Sequence, residues 1–161
     1  MDDRAAELNG GSYLAIPETS ALRSIASLKR LVTRCIKSQT SFAIETTLSI
    51  SVTFEHAALA KSARFTTQMR CVGLRDFVLN LLRVKARAFA GGYSAFEKTR
   101  RAIYTSSFAN LPRALAEMDQ RWIYDNSAVG GPPQLVLEAE RGEIRFLAKN
   151  PRAWLAAAVE L

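Results

Sequence analysis

Apolar positions along this chain recur with two different periods. From 20 to 37, Leu22, Ile25, Leu28, Val32, Cys35 and Ile36 return every three or four residues, the spacing of one helix face. Thr19 or Ser20, after Pro17, supplies a start signal. At 41–46 the pattern becomes a short apolar run, Phe42-Ala43-Ile44, ending in Glu45-Thr46-Thr47, and this predicts a strand with a polar tip. A short helix is expected over 53–63, a second strand over 67–73 and a helix over 75–90 that stops at Gly91-Gly92. Arg83 and Arg87 lie one turn apart on that helix. Two helical pieces, 95–108 and 111–118, are expected on either side of Pro112. "RWIYDNS", 121–127, reads as a third strand. Gly130-Gly131-Pro132-Pro133 is a turn, and "QLVLEAE" with "EIRFLA" forms a hairpin about Arg141-Gly142. A closing helix is expected over 151–160, with Pro151 near its first turn.

Strands alternating with helices predict one α/β domain over 1–161, with a mainly parallel sheet flanked by helices. In such sheets ligands sit at the carboxyl ends of the strands. That rule nominates two polar triplets, Glu45-Thr46-Thr47 and Asp125-Asn126-Ser127.

Composition narrows the class. Apolar residues make up 48% and aromatics 9%, enough for a packed core. No run of 18 apolar residues occurs, so no membrane span is expected. The polar start, "MDDRAAELNGG", does not read as a secretory signal, and a cytoplasmic location is expected. Cys35 and Cys71 are expected to be buried, reduced thiols. The net charge of +7 is unevenly placed: 61–113 holds 11 Lys/Arg against two acids, Asp76 and Glu97. Such a segment suits a phosphate-bearing ligand or nucleic acid, and equally a solvated helix face. No RNP, zinc-finger or helix-turn-helix signature supports nucleic acid. His56 beside Glu55 is read as a surface helix residue, Trp122 and Trp154 as packing residues, and "EAERGE" as a solvated hairpin.

Four segments in order, "FAIETTLS", "RVKAR…GGY", "NLPRAL" and "YDNS", resemble the zeta-toxin family of P-loop kinases, in particular its predicted ATPase or UDP-N-acetylglucosamine kinase branch. The resemblance runs from about Asp2 to Trp154. It implies a P-loop NTPase-like fold, with ATP and Mg²⁺ as cofactors. The implied reaction passes the γ-phosphoryl group to a hydroxyl-bearing acceptor such as a nucleotide sugar, and an antitoxin protein is the implied partner. Asp2, with Asp3 beside it, matches the family's catalytic aspartate. Glu45 matches the acid that contacts the acceptor, with Thr46 and Thr47 its hydroxyl neighbours. Arg83 and Arg87 match the arginines of an RVxxR helix, and Arg101 the first arginine of an RxRY motif. These cations would neutralise the transferring phosphate. Tyr124 and Asn126 match the strand near the nucleotide.

The departures are specific. No GxxxxGK[ST] loop is present, and no glycine is followed by lysine. That loop supplies the backbone cradle, the phosphate lysine and the Mg²⁺ hydroxyl. Ile103 replaces the second arginine of RxRY, Tyr93 the histidine of GGH, Phe96 the proline that usually follows it, and Ile50 a glycine after ETTLS. Three readings follow: the acceptor-side portion of a kinase, expected to be inactive alone; a degenerate homologue kept as an interaction module; and a basic nucleic-acid binder. A sheet lacking its P-loop strand would leave edges unpaired, so a marginal monomer or self-association is expected.

Overall fold

The computed structural model describes residues 18–89 and 97–159. Along them run α1 (Glu18–Lys37), α2 (Val52–Ser62), β1 (Gln68–Gly73), α3 (Phe77–Phe89), α4 (Glu97–Glu117), β2 (Gln120–Asp125), β3 (Gln134–Glu140), β4 (Glu143–Leu147) and α5 (Ala153–Ala156). The strands form one four-stranded sheet in the order β1-β2-β3-β4. The α/β class stands as expected. The sheet is mixed, however, not mainly parallel: β1 and β2 run parallel, whereas β2–β3 and β3–β4 are antiparallel. The reason is the chain's punctuation. Only the β1–β2 connection is long enough to hold crossover helices, α3 and α4, while short turns force the later strands to reverse.

Three further expectations are corrected. Residues 41–46 are not a strand. An extended segment becomes a strand only when a neighbour accepts its ladder, and none of the four described strands pairs with it. Phe42 instead meets the Phe65 ring at 6.0 Å. The two helical pieces about Pro112 are one helix, α4. Proline removes one backbone bond, but Leu111, Ala114 and Leu115 are buried around it and hold the helix through the break. The closing helix shrinks to the four residues of α5.

The core lies on one side of the sheet. Phe54 from α2, Leu111 and Ala114 from α4, and Leu155 from α5 pack against Ile123 and Leu137 of β2 and β3. Strand alternation decides which residues enter it. In β2 Arg121, Ile123 and Asp125 are buried and Gln120, Trp122 and Tyr124 are half-buried. Arg70 lies over the Trp122 ring on the opposite face, 4.8 Å from its centroid. The expected hairpin is present, and its turn has left-handed backbone at Arg141 (φ 47°) and Gly142 (φ 88°), as a two-residue reversal requires. Cys35 and Cys71 are free but only half-buried, not fully buried as expected. Burial still pushes the Cys71 thiol up to about 11.

Candidate functional site at the carboxyl edge of the parallel pair

Gly73 and Asp125 are partners at the carboxyl ends of β1 and β2. The chain leaving each strand turns across this edge. The Asn126 N–H donates to the Gly73 carbonyl at 2.9 Å. The Ser127 hydroxyl accepts from the Arg75 N–H at 2.8 Å and donates to Asp125 Oδ1, which also takes the Ser127 N–H at 3.1 Å. Arg152, just before α5, donates from Nε to Asp125 Oδ2 at 3.0 Å. Burial raises the Asp125 carboxyl, but the Ser127 hydroxyl, the Arg152 guanidinium and the Ser127 N–H outweigh it and leave the group below its ordinary value.

Asp76 begins α3 as an N-cap. Its Oδ1 accepts from the Leu79 N–H at 2.7 Å and its Oδ2 from Arg75 Nε at 3.0 Å. The Leu79 bond is the main cause of its lowered pKa, with Arg75 assisting against partial desolvation. Arg83, on the same helix, donates from Nη2 to the Ala128 carbonyl at 2.9 Å and so leans over the β2 exit.

A row of aromatic rings underlies this edge. Trp154 meets Phe108 at 5.5 Å, Phe108 meets Tyr104 at 4.6 Å, and Tyr104 meets Phe77 at 5.7 Å. Trp154 presses on Gly73 so closely that a Cβ there would lie 2.5 Å from its ring; only glycine fits. The Tyr104 hydroxyl donates to the Leu74 carbonyl at 3.3 Å, and burial followed by the Asp76 charge raises its pKa. Arg101 covers the far end of the row, 4.1 Å over Phe77, and pairs with Glu97 at 3.7 Å.

The Glu45-Thr46-Thr47 tip is a connector into α2, not a strand end. The Thr46 hydroxyl accepts from the Leu48 N–H at 3.1 Å and meets the Thr53 hydroxyl at 3.0 Å. The Thr47 hydroxyl meets Ser49 at 2.8 Å. Leu48 is buried with φ 63°, a left-handed conformation that a leucine adopts only when its surroundings enforce it. Those surroundings are on α4: Ser107 donates to the Thr47 carbonyl at 2.5 Å and Asn110 to the Leu48 carbonyl at 2.9 Å. Ser107 follows Tyr104 by three residues, about 4.5 Å along the axis. One stretch of α4 therefore touches both the carboxyl edge and the Glu45 turn. Glu45 itself is exposed.

Of the residues singled out in the sequence, the structure places Arg83 and Asn126 at this edge, Arg101 over Phe77 at the far end of the aromatic row, and Glu45, Thr46 and Thr47 in the turn that α4 holds beside it. Arg87 lies exposed in the last turn of α3. Asp2 and Asp3 lie outside the described residues, as do Tyr93 and Phe96. Arg75, Asp76 and Arg152 had not been singled out. Asp76 carried a readable signal, a short acid just before a helical period; Arg152 carried none, because it meets Asp125 across 27 residues of sequence. His56 is a correction: it is buried, not a surface residue.

No three His, Cys, Asp or Glu side chains are grouped to hold a metal among the described residues. Asp76 and Asp125 are each already engaged by an arginine, so this donor set does not fit Mg²⁺. No described helix is long and apolar enough to cross a membrane. Compared with protein-family models, curated proteins and solved structures, the chain matches none.

Proposed function

We propose that this chain binds a phosphate-bearing small molecule, of the nucleotide-sugar class, at the carboxyl edge of β1 and β2. As it stands it does not transfer phosphate. The reading joins the resemblance to the acceptor side of zeta-toxin-type kinases with one geometric observation. The exits of two adjacent parallel strands gather Arg75, Arg83 and Arg152, Arg101 lies over Phe77 at the far end of the aromatic row beneath them, and α4 ties this edge to the Glu45 turn. Arginine suits phosphate because its planar fork offers paired donors. The side chains of Arg75, Arg101 and Arg152 are more than half exposed, so a ligand could reach them. Against catalysis stands the absence of GxxxxGK[ST] from these 161 residues. Losing one positioned donor costs roughly 10²–10³ in rate, and that loop supplies several donors and a metal ligand together.

Calorimetric titration with UDP-N-acetylglucosamine, and with the free sugar as control, tests the binding. The nucleotide sugar is expected to bind and the free sugar not, and Arg83→Ala is expected to weaken binding about tenfold. Equal responses to both ligands would refute the site. ADP production from ATP and Mg²⁺ in a coupled assay would refute the non-catalytic part separately.

A second reading, an interaction module that self-associates or takes a protein partner such as an antitoxin, is favoured by one observation. Val78, Leu82 and Phe89 on α3 are 64%, 59% and 92% exposed. Light scattering across a concentration series, compared with Leu82→Lys, separates it from the first.

A further inference from the structure

His56 is 5% exposed, and among the described residues neither its Nδ1 nor its Nε2 has a hydrogen-bond partner. Buried polar atoms are almost always satisfied, so a fully orphaned ring asks for an account. Its position supplies one. Phe54, two residues earlier and about 200° around α2, faces the core, leaving His56 on the other side of the helix. α1 packs against α2. The charges that reach the ring are Lys29 from α1 and Glu55 from α2 itself. The charged groups where α4 meets α2 are engaged elsewhere: Arg113 of α4 lies over Phe54 and pairs with Glu117, while Lys61 of α2 binds the Glu117 carbonyl and Asp119.

We propose that His56 is an acid-sensitive latch between α1 and α2, closed while the imidazole is neutral and opened when it takes a proton. A neutral ring buries one unmet donor and one unmet acceptor. A protonated ring would bury a full charge with two unmet donors beside the Lys29 ammonium, a far larger penalty. Burial is the main cause of the lowered imidazole pKa; Lys29 lowers it further and Glu55 opposes both. The sign follows. Above about pH 6.5 the ring is neutral in both folded and unfolded chains and changes nothing. Below that value the unfolded chain binds the proton and the closed latch resists it, so stability falls as pH falls. Opening frees α1, whose exposed side carries Arg23, Lys29, Arg30 and Arg34.

The chain has one histidine, which makes the test clean. No other side chain with an ordinary pKa titrates between about pH 5.5 and 7.5. Three readouts on the full chain are compared at those two pH values: thermal midpoint, amide exchange along α1 corrected for intrinsic rates, and the single imidazole resonance. Acidification is expected to lower the midpoint by about 2–4 °C. It is also expected to speed exchange several-fold in α1 but not in β2, and to leave the folded imidazole titrating below its free value. His56→Leu is expected to abolish both the midpoint shift and the exchange change. His56→Gln, which keeps polarity without titrating, serves the same purpose should the leucine variant not fold. A midpoint shift of the same size in either variant overturns the proposal. So does an imidazole that titrates like a free one, or exchange that rises evenly across the chain.

Discussion

The two ends of β2 are built on the same plan and differ in what they leave over. At the amino end Asp119 takes the Thr67 N–H at 2.8 Å, the Thr67 hydroxyl at 2.9 Å and the Lys61 ammonium at 3.1 Å. At the carboxyl end Asp125 takes the Ser127 N–H, the Ser127 hydroxyl and the Arg152 guanidinium. Each aspartate thus clips the strand to its neighbourhood with one backbone donor, one hydroxyl and one cation. At the amino end two cations also reach the carbonyls that end α4. Arg121 is buried and donates to the Leu115 carbonyl, while Lys61 donates to the Glu117 carbonyl at 2.8 Å, so both serve the negative end of α4. At the carboxyl end Arg75 and Arg152 keep more than half of their side chains exposed after making their bonds. Similar clips therefore do not mark a site. The difference lies in how far the clipping cation faces water: the Arg152 side chain is 54% exposed and the Lys61 side chain 42%.

The largest expected effect tests how rigid the carboxyl end is. Gly73→Val would drive a side chain into Trp154, against a ring 2.5 Å away, and is expected to cost about 2–3 kcal/mol in urea unfolding. A loss under about 1 kcal/mol would mean that Trp154 yields and the edge is soft.

Removing each clip compares the two ends directly. Asp125→Ala strands Ser127 and Arg152, and Asp119→Ala strands Thr67 and Lys61. Costs of about 1.5–3 kcal/mol are expected, with Asp125 the greater because its side chain is 9% exposed against 29%. The reverse order would break the comparison.

Acid should act on both clips. Burial raises the Asp119 carboxyl, but the Thr67 bonds and Lys61 outweigh it, so it too lies below its ordinary value. Both aspartates stabilise the fold above the free carboxylate pKa, and that stability is lost as pH falls through the lowered folded values. The thermal midpoint of wild type is expected to fall steeply below about pH 4, and the Asp119→Asn, Asp125→Asn double variant to fall less.

The smallest effect on stability carries the functional contrast. Arg83→Ala and Lys61→Ala are each expected to change stability by no more than about 1 kcal/mol. Only Arg83→Ala is expected to weaken nucleotide-sugar binding in a titration. An equal loss from Lys61→Ala would remove the distinction between the two ends.

Much of the fold was legible locally. The three- and four-residue spacing of α1 and the apolar runs of β1 and β2 were readable, as was the Arg141-Gly142 turn, because periodicity and turn chemistry are properties of neighbours. What failed needed distant partners. Residues 41–46 have strand composition but no ladder to join. Pro112 has the look of a break but is held by Leu111, Ala114 and Leu115. His56 sits in a polar-looking triplet yet is buried, within reach of the Lys29 charge from α1.

The candidate site divides the same way. That Asp125-Asn126-Ser127 ends a strand and that basic residues crowd 61–113 can be read from residue order alone, since composition and strand ends are written along the chain. Which of those residues meet depends on how the elements pack. The parallel β1–β2 register brings Gly73 beside Asp125, and the exits of the two strands then set Arg75 and Arg83 around that edge. α5 returns Arg152 to it across 27 residues. Long-range pairing is a matter of which surfaces can be buried together, and no local pattern encodes it.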